Sequence, residues 1–115
     1  MHRLGSEKME RYLPQVRRRL VAVAARRELV KYNSIQNEFG GRGYFGQVLD
    51  ELNRREHRFG RPLLSAIVVR DQPNPIAGEG FFVLARELLP ASSARGKRAL
   101  WEAERDRVWS FDWTR

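Results

Sequence analysis

The chain of 115 residues contains no cysteine and only two histidines, His2 and His57. Without thiols there is no disulfide scaffold, no thiolate zinc site and no cysteine nucleophile. The two histidines are too few and too far apart to suggest a metal cage, so no metal and no cofactor are expected. Long apolar runs are also missing. The longest, residues 63–69, is interrupted by Ser65, far short of the roughly 20 residues that span a bilayer. The first twelve residues are charged and lack the apolar centre of a secretory signal. The expectation is a cytoplasmic protein with no membrane association. Lysine is scarce too: Lys8, Lys31 and Lys97 are the only lysines among 22 basic residues, against 14 acidic ones, for a net charge of +8.

What the chain does have is arginine, unevenly placed. Residues 1–62 carry fourteen basic and seven acidic side chains, a net of +7, whereas residues 63–115 carry eight and seven, a net of +1. An excess confined to half a small protein suggests a positive face rather than general solubilising charge. Nucleic acid is the obvious partner for such a face. An acidic protein partner, or the arginine usage of a GC-rich genome, would leave the same trace. With 42% apolar residues, the length suits one domain with a modest core. It divides into a basic N-terminal helix (1–31), a central region (32–82), and C-terminal helices with an aromatic tail (83–115).

Ser6 is a possible N-cap, and Pro14 is expected to break the first helix or to open a second. From Leu13, the apolar positions Leu13, Val16, Leu20, Val23 and Ala24 keep a helical period, with Arg17, Arg18, Arg19, Arg26 and Arg27 on the other faces. A short segment, 30–33, leads to a brief helix over 35–39, capped by Ser34 and stopped at Gly40-Gly41. The clearest element is a helix over 44–58. Phe45, Val48, Leu49 and Leu52 form its apolar stripe, and Tyr44, Gln47, Glu51, Arg54 and Arg58 lie opposite, with Arg55 at the edge. Residues 63–69 read as a strand, 71–75 as a turn and 76–82 as a returning strand. A short buried helix then carries Leu84, Ala85 and Leu88. An amphipathic helix over 97–109 places Leu100, Trp101, Glu104 and Val108 together, and Phe111 and Trp113 pin the tail.

Helix–turn–helix followed by a hairpin predicts an α+β, winged-helix-like fold with flanking N- and C-terminal helices, the β-hairpin being the wing and residues 71–75 its tip. Residues 32–82 also resemble the DNA-binding region of alkylguanine-DNA alkyltransferases and alkyltransferase-like proteins. The resemblance rests on Tyr32-Asn-Ser-Ile35 with Gly40, on Phe45-Gly46-Gln-Val48-Leu49, and on Pro62, the run to Val69 and Gly78-Glu-Gly80-Phe81. It implies a winged-helix topology. The family's reactive cysteine, or its tryptophan replacement, and the adjacent His-Arg are absent; Leu63 or Ser65 stands near that point. Gly43 occupies the place of the family's base-replacing arginine, and Arg42 falls one residue early. Alkyl transfer is therefore not implied.

If the 44–58 helix reads DNA, Gln47, Arg54, Arg55 and Arg58 would contact bases or phosphates, since arginine pairs with guanine and glutamine with adenine in the major groove. Arg42 and Tyr44 would meet phosphate at the helix start. Arg61 and Arg70, flanking the wing strand, would touch phosphate or a minor groove. Glu51 opposes dense phosphate contact, and a solvated face with Glu51–Arg55 and Glu51–Arg54 pairs is the alternative. No catalytic set emerges. Asp71 and Glu79 lack a suitably spaced lysine for nuclease chemistry. Ser65 has no partnering histidine, and Gly78-Glu-Gly80 lacks the frame of a phosphate loop. The leading expectation is a non-enzymatic protein that binds duplex DNA. The runner-up is a protein–protein adaptor or small subunit of a larger bacterial complex, using Trp109, Phe111 and Trp113 on a partner.

Overall fold

The computed structural model describes residues 5–40, 43–92 and 95–114. The described residues form five α-helices, α1 (Ser6–Ala25), α2 (Tyr32–Glu38), α3 (Phe45–Arg58), α4 (Glu79–Leu88) and α5 (Lys97–Ser110). Two strands of two residues each, β1 (Val30–Lys31) and β2 (Val68–Val69), pair in parallel with Val30 opposite Val68 and Lys31 opposite Val69. Parallel strands need a long crossover, and here α2 and α3 provide it.

The expected winged-helix fold is not what the chain adopts: among the described residues there is no β-hairpin and no wing. The run 63–69 is apolar throughout because it is enclosed on every side, with Leu63 to Val69 all buried. A continuous apolar run does not distinguish strand from other buried backbone. Leu64–Ile67 in fact winds into a 3₁₀ turn, and only Val68–Val69 extends. The returning strand expected over 76–82 is absent as well. Its single hairpin-like bond is the Arg70 N–H to the Ile76 carbonyl, 3.0 Å. Pro73 and Pro75 have no N–H to extend a ladder, and from Glu79 the chain is helical, placing Phe81 and Phe82 in α4. Residues 71–75 are thus a surface loop between buried segments, not a wing tip.

Pro14 does not break α1, which runs through it. The ring lies on the exposed face, where the Glu10 carbonyl it cannot bond is open to water. The helix ends in a Schellman-type turn. Arg27 takes a left-handed φ of +54°, and Glu28 N–H reaches back to the Val23 carbonyl. At the other elements the periodicity holds. The stripes of α1 (Leu13, Val16, Leu20, Val23, Ala24), α3 (Phe45, Val48, Leu49, Leu52) and α5 (Leu100, Trp101, Val108) are all buried. They close around residues 63–69, which touch α1, α3 and α5.

The core is not purely apolar. Asn53 is 2% exposed and answers the 3₁₀ turn twice. Its Oδ1 accepts from the Ser65 N–H at 3.1 Å and its Nδ2 donates to Ser65 Oγ at 2.6 Å. Glu104, on α5, accepts from the Leu63 N–H at 2.7 Å and from Arg107 at 2.7 Å. Trp101 Nε1 donates to the Ala66 carbonyl at 2.7 Å. Backbone polar groups in this buried segment must find partners, and these side chains provide three of them.

Candidate functional site

Two surfaces have the makings of a site: the charged faces of α1 and α3, and a cavity of about 570 Å³. The cavity opens between β2, the start of α2, the first half of α3 and the N-terminus of α4. Leu49, Val68, Phe81 and Leu84 give it apolar walls, and Asn53 and Ser65 lie at its base. Tyr32 stands half-buried at one side, and burial raises its phenol pKa. Around the rim, Asp50, Asp71 and Glu79 are held by Arg54, Lys31 and Lys97 respectively. Lys97, with help from Arg86 and Arg70, keeps the Glu79 carboxyl below the usual range. Among the described residues Ser65 has Asn53 alone on its hydroxyl, and an amide is not a base that activates a nucleophile. Tyr32, Gly46, Leu49, Val69, Gly78, Gly80 and Phe81, all residues that carry the alkyltransferase resemblance, line this one cavity. Sequence spacing could not show that they converge.

The residues expected to read DNA are dispersed. Arg42 lies outside the described residues. Tyr44 is the N-terminal flank of α3 and half-buried, as is Gln47. Arg54 is held by Asp50 at 3.0 Å and by Glu87 through a fork of two bonds. Arg55 is held by Glu51 at 2.7 Å and by Glu10 of α1. These carboxylates push both guanidinium pKa values further up, Glu87 most for Arg54 and Glu10 most for Arg55. The Glu51–Arg55 pair is therefore formed, while Arg54 turns to Asp50 and Glu87 instead of Glu51. With Arg58 exposed beside them, three guanidiniums on this face meet four carboxylates. The face is close to neutral, not a positive stripe. Arg70 is exposed at the cavity rim, and Arg61 is bound to Glu56 on the far side of α3.

A positive face does exist, on α1. At about 100° per residue, Lys8, Arg11, Gln15, Arg18 and Ala22 fall within one narrow sector opposite the buried stripe. All five are exposed. Among the described residues, Lys8, Arg11 and Arg18 make no ion pair. Arg17 and Arg19, on the flanks, are paired with Glu56 and Glu38. The spacing 8, 11, 15, 18 was legible in the sequence. What was not legible is that the neighbouring arginines are neutralised while these are not.

The aromatic tail is folded onto the body. Trp109 Nε1 donates to the Glu28 carbonyl at 3.0 Å and Trp113 Nε1 to the Val108 carbonyl at 2.8 Å. Phe111 and Trp113 pack with ring centroids 4.6 Å apart. All three are half-buried. No helix among the described residues is long and apolar enough to cross a membrane. No family model, curated protein or solved structure matches this chain.

Proposed function

We propose that this is a non-enzymatic nucleic-acid-binding protein whose natural ligand is duplex DNA, held by the solvent stripe of α1. The observation that carries the reading is the row Lys8, Arg11 and Arg18, exposed on one face and without carboxylate partners among the described residues. Lys8 and Arg18 stand about 15 Å apart along the axis at 1.5 Å per residue, a span that covers several phosphates of a duplex. Arg26 and Arg27 extend the charge past the helix end.

Binding of a fluorescent duplex is the test, titrated at about 50 and 200 mM salt, where neutralising several phosphates costs orders of magnitude in affinity. Arg11→Ala with Arg18→Ala should weaken binding and reduce the slope of log K against log salt by about 1.8, that is 0.9 per lost phosphate contact. Arg54→Ala with Arg55→Ala should leave the slope nearly unchanged, because those guanidiniums are already neutralised. Absence of salt-sensitive binding, or a slope insensitive to the α1 pair, refutes the proposal.

A further inference from the structure

The cavity between α3 and α4 plays no part in the function proposed above. Its volume of about 570 Å³ lies within the range of small-molecule sites. Leu49, Val68, Val69, Phe81 and Leu84 line it and are all buried. Two hydroxyls on the lining carry protons that nothing accepts. Ser65 is 4% exposed, and its Oγ accepts from Asn53 Nδ2 at 2.6 Å. Among the described residues no acceptor takes the Ser65 proton in turn. A hydroxyl both donates and accepts, so this buried group is only half satisfied. The half-buried Tyr32 phenol also makes no hydrogen bond among the described residues.

Two glycines keep the cavity wide. Gly46 in α3 and Gly80 in α4 both line it. Neither has a left-handed φ, so the backbone does not require glycine at either position. A Cβ on Gly80 would meet nothing within 4 Å, and one on Gly46 would lie 3.4 Å from the Tyr32 phenol oxygen. Glycine costs helix stability relative to alanine. Packing does not explain that cost at Gly80, and at Gly46 the missing Cβ leaves the phenol open.

The charges at the mouth are already matched. Asp50, Asp71 and Glu79 are held by Arg54, Lys31 and Lys97, and Arg54 also binds Glu87. Arg70 and Arg86 act on Glu79 without an ion pair to it. The start of α4 has no side-chain cap, but Glu79 in its first turn answers the helix dipole. No carboxylate is left over to take a cation, and the unpaired Arg70 lies at the exposed rim beside Glu79, away from the apolar walls. The unanswered groups on the inner surface are neutral donors.

We propose that this cavity binds an uncharged, mainly apolar small molecule, such as an aromatic ketone or amide, whose acceptor oxygen takes the Ser65 proton. The apolar walls hold the body of the ligand, and the Ser65 hydroxyl selects for an acceptor at its inner end. Burying that donor against a hydrocarbon leaves it unpaired, which is what gives such a site its selectivity.

The experiment titrates amide ¹H–¹⁵N spectra of the full chain with four probes of similar size. Acetophenone is neutral with a carbonyl acceptor, ethylbenzene is neutral without one, benzoate is an anion and benzylammonium a cation. Acetophenone should saturate with a Kd on the order of 1 mM, the scale for a ligand of about nine heavy atoms. It should move the amides of residues 68–70 and 78–80. Ser65→Ala should lower the preference for acetophenone over ethylbenzene about fivefold, the size of one net hydrogen bond. Gly80→Leu, which adds a side chain at an open position on the lining, should weaken both. Far-ultraviolet spectra establish that each variant is folded. Four results overturn the inference: no saturable shift at the lining amides, tighter binding of either charged probe than of acetophenone, an unchanged preference in Ser65→Ala, or undiminished binding in Gly80→Leu. The titrations contain no DNA, so the outcome is independent of the α1 reading.

Discussion

Replacing Glu56 by glutamine isolates the most consequential charge in the molecule. The carboxylate accepts four hydrogen bonds between 2.9 and 3.2 Å from Arg17 and Arg61, while being itself 1% exposed. Glutamine keeps one oxygen but turns an NH₂ toward two guanidinium donors, so two bonds become donor–donor clashes. Removing one member of a fully buried ion pair costs about 3–5 kcal/mol. Here the partners retain 31% and 26% of their side-chain exposure, so water can solvate their outer edges and the cost should fall to about 2 kcal/mol. With a urea slope of about 1.5 kcal/mol/M for a small domain, the unfolding midpoint should drop by about 1.3 M. Far-ultraviolet circular dichroism in a urea series measures this directly. Glu87→Gln is the control, because that carboxyl holds Arg54 in open solvent and its loss should leave the midpoint unmoved. If Glu56→Gln shifts the midpoint no more than Glu87→Gln does, the buried carboxylate is not what ties α1 to α3.

Other outcomes follow from single interactions. Asn53→Ala strips both partners from Ser65 inside the core and should cost about 2–3 kcal/mol, whereas Ser65→Ala keeps the backbone bond to Asn53 Oδ1 and should cost about 1 kcal/mol; urea midpoints in the reverse order would contradict the assignment. Arg27→Gly relieves a left-handed residue at the end of α1 and should stabilise by about 0.5–1 kcal/mol, so a lowered melting temperature would show that Arg27 makes a contact worth more than its strain. Tyr32 has its phenol pKa raised by burial, so the native state holds that proton longer than the unfolded chain. Stability should therefore fall as pH rises from the ordinary tyrosine range toward the folded value, and tyrosinate absorbance in Tyr32→Phe should lack the latest-titrating group. Hydrogen bonds from Arg55, Lys97 and Arg54 hold the Glu10, Glu79 and Glu87 carboxyls below the usual value. Their contribution is complete above the ordinary glutamate range and is lost as pH falls through the lowered values, which carboxyl NMR titration would resolve.

The helices were legible wherever one face met the core and the other met water. The apolar stripes of α1, α3 and α5 are buried as the period indicates, including Glu104 among the apolar positions of α5, but the buried Asn53 and Glu56 of α3 were not foreseen. The buried centre was not legible, for a physical reason. Residues 63–69 are enclosed by three helices, so no polar face modulates the run, and β-branched composition then pointed to a full strand. Their backbone is instead satisfied by Asn53, Glu104 and Trp101 from separate elements, long-range bonds that leave no periodic signature. The false hairpin had a similar origin. Gly78 and Gly80 read as strand glycines, although Gly78 in fact flanks the N-terminus of α4 and Phe81 and Phe82 are adjacent on a helix.

The site was legible as charge and illegible as field. Counting residues placed a net of +7 in the first 62 positions, and the helical period put Arg54, Arg55 and Arg58 on one face of α3. Neither observation could show that Glu10, 45 positions before Arg55, and Glu87, 33 positions after Arg54, would fold onto that face and neutralise it. Ion pairs that close across the sequence remove the positive potential from the α3 face and leave it on α1, where Lys8, Arg11 and Arg18 have no carboxylate partner among the described residues. Were the α3 arginines unpaired, removing them would weaken DNA binding. Because they are paired, the same substitutions should perturb the contact between α3 and its neighbours, while the proposed salt-dependent binding should follow Arg11 and Arg18.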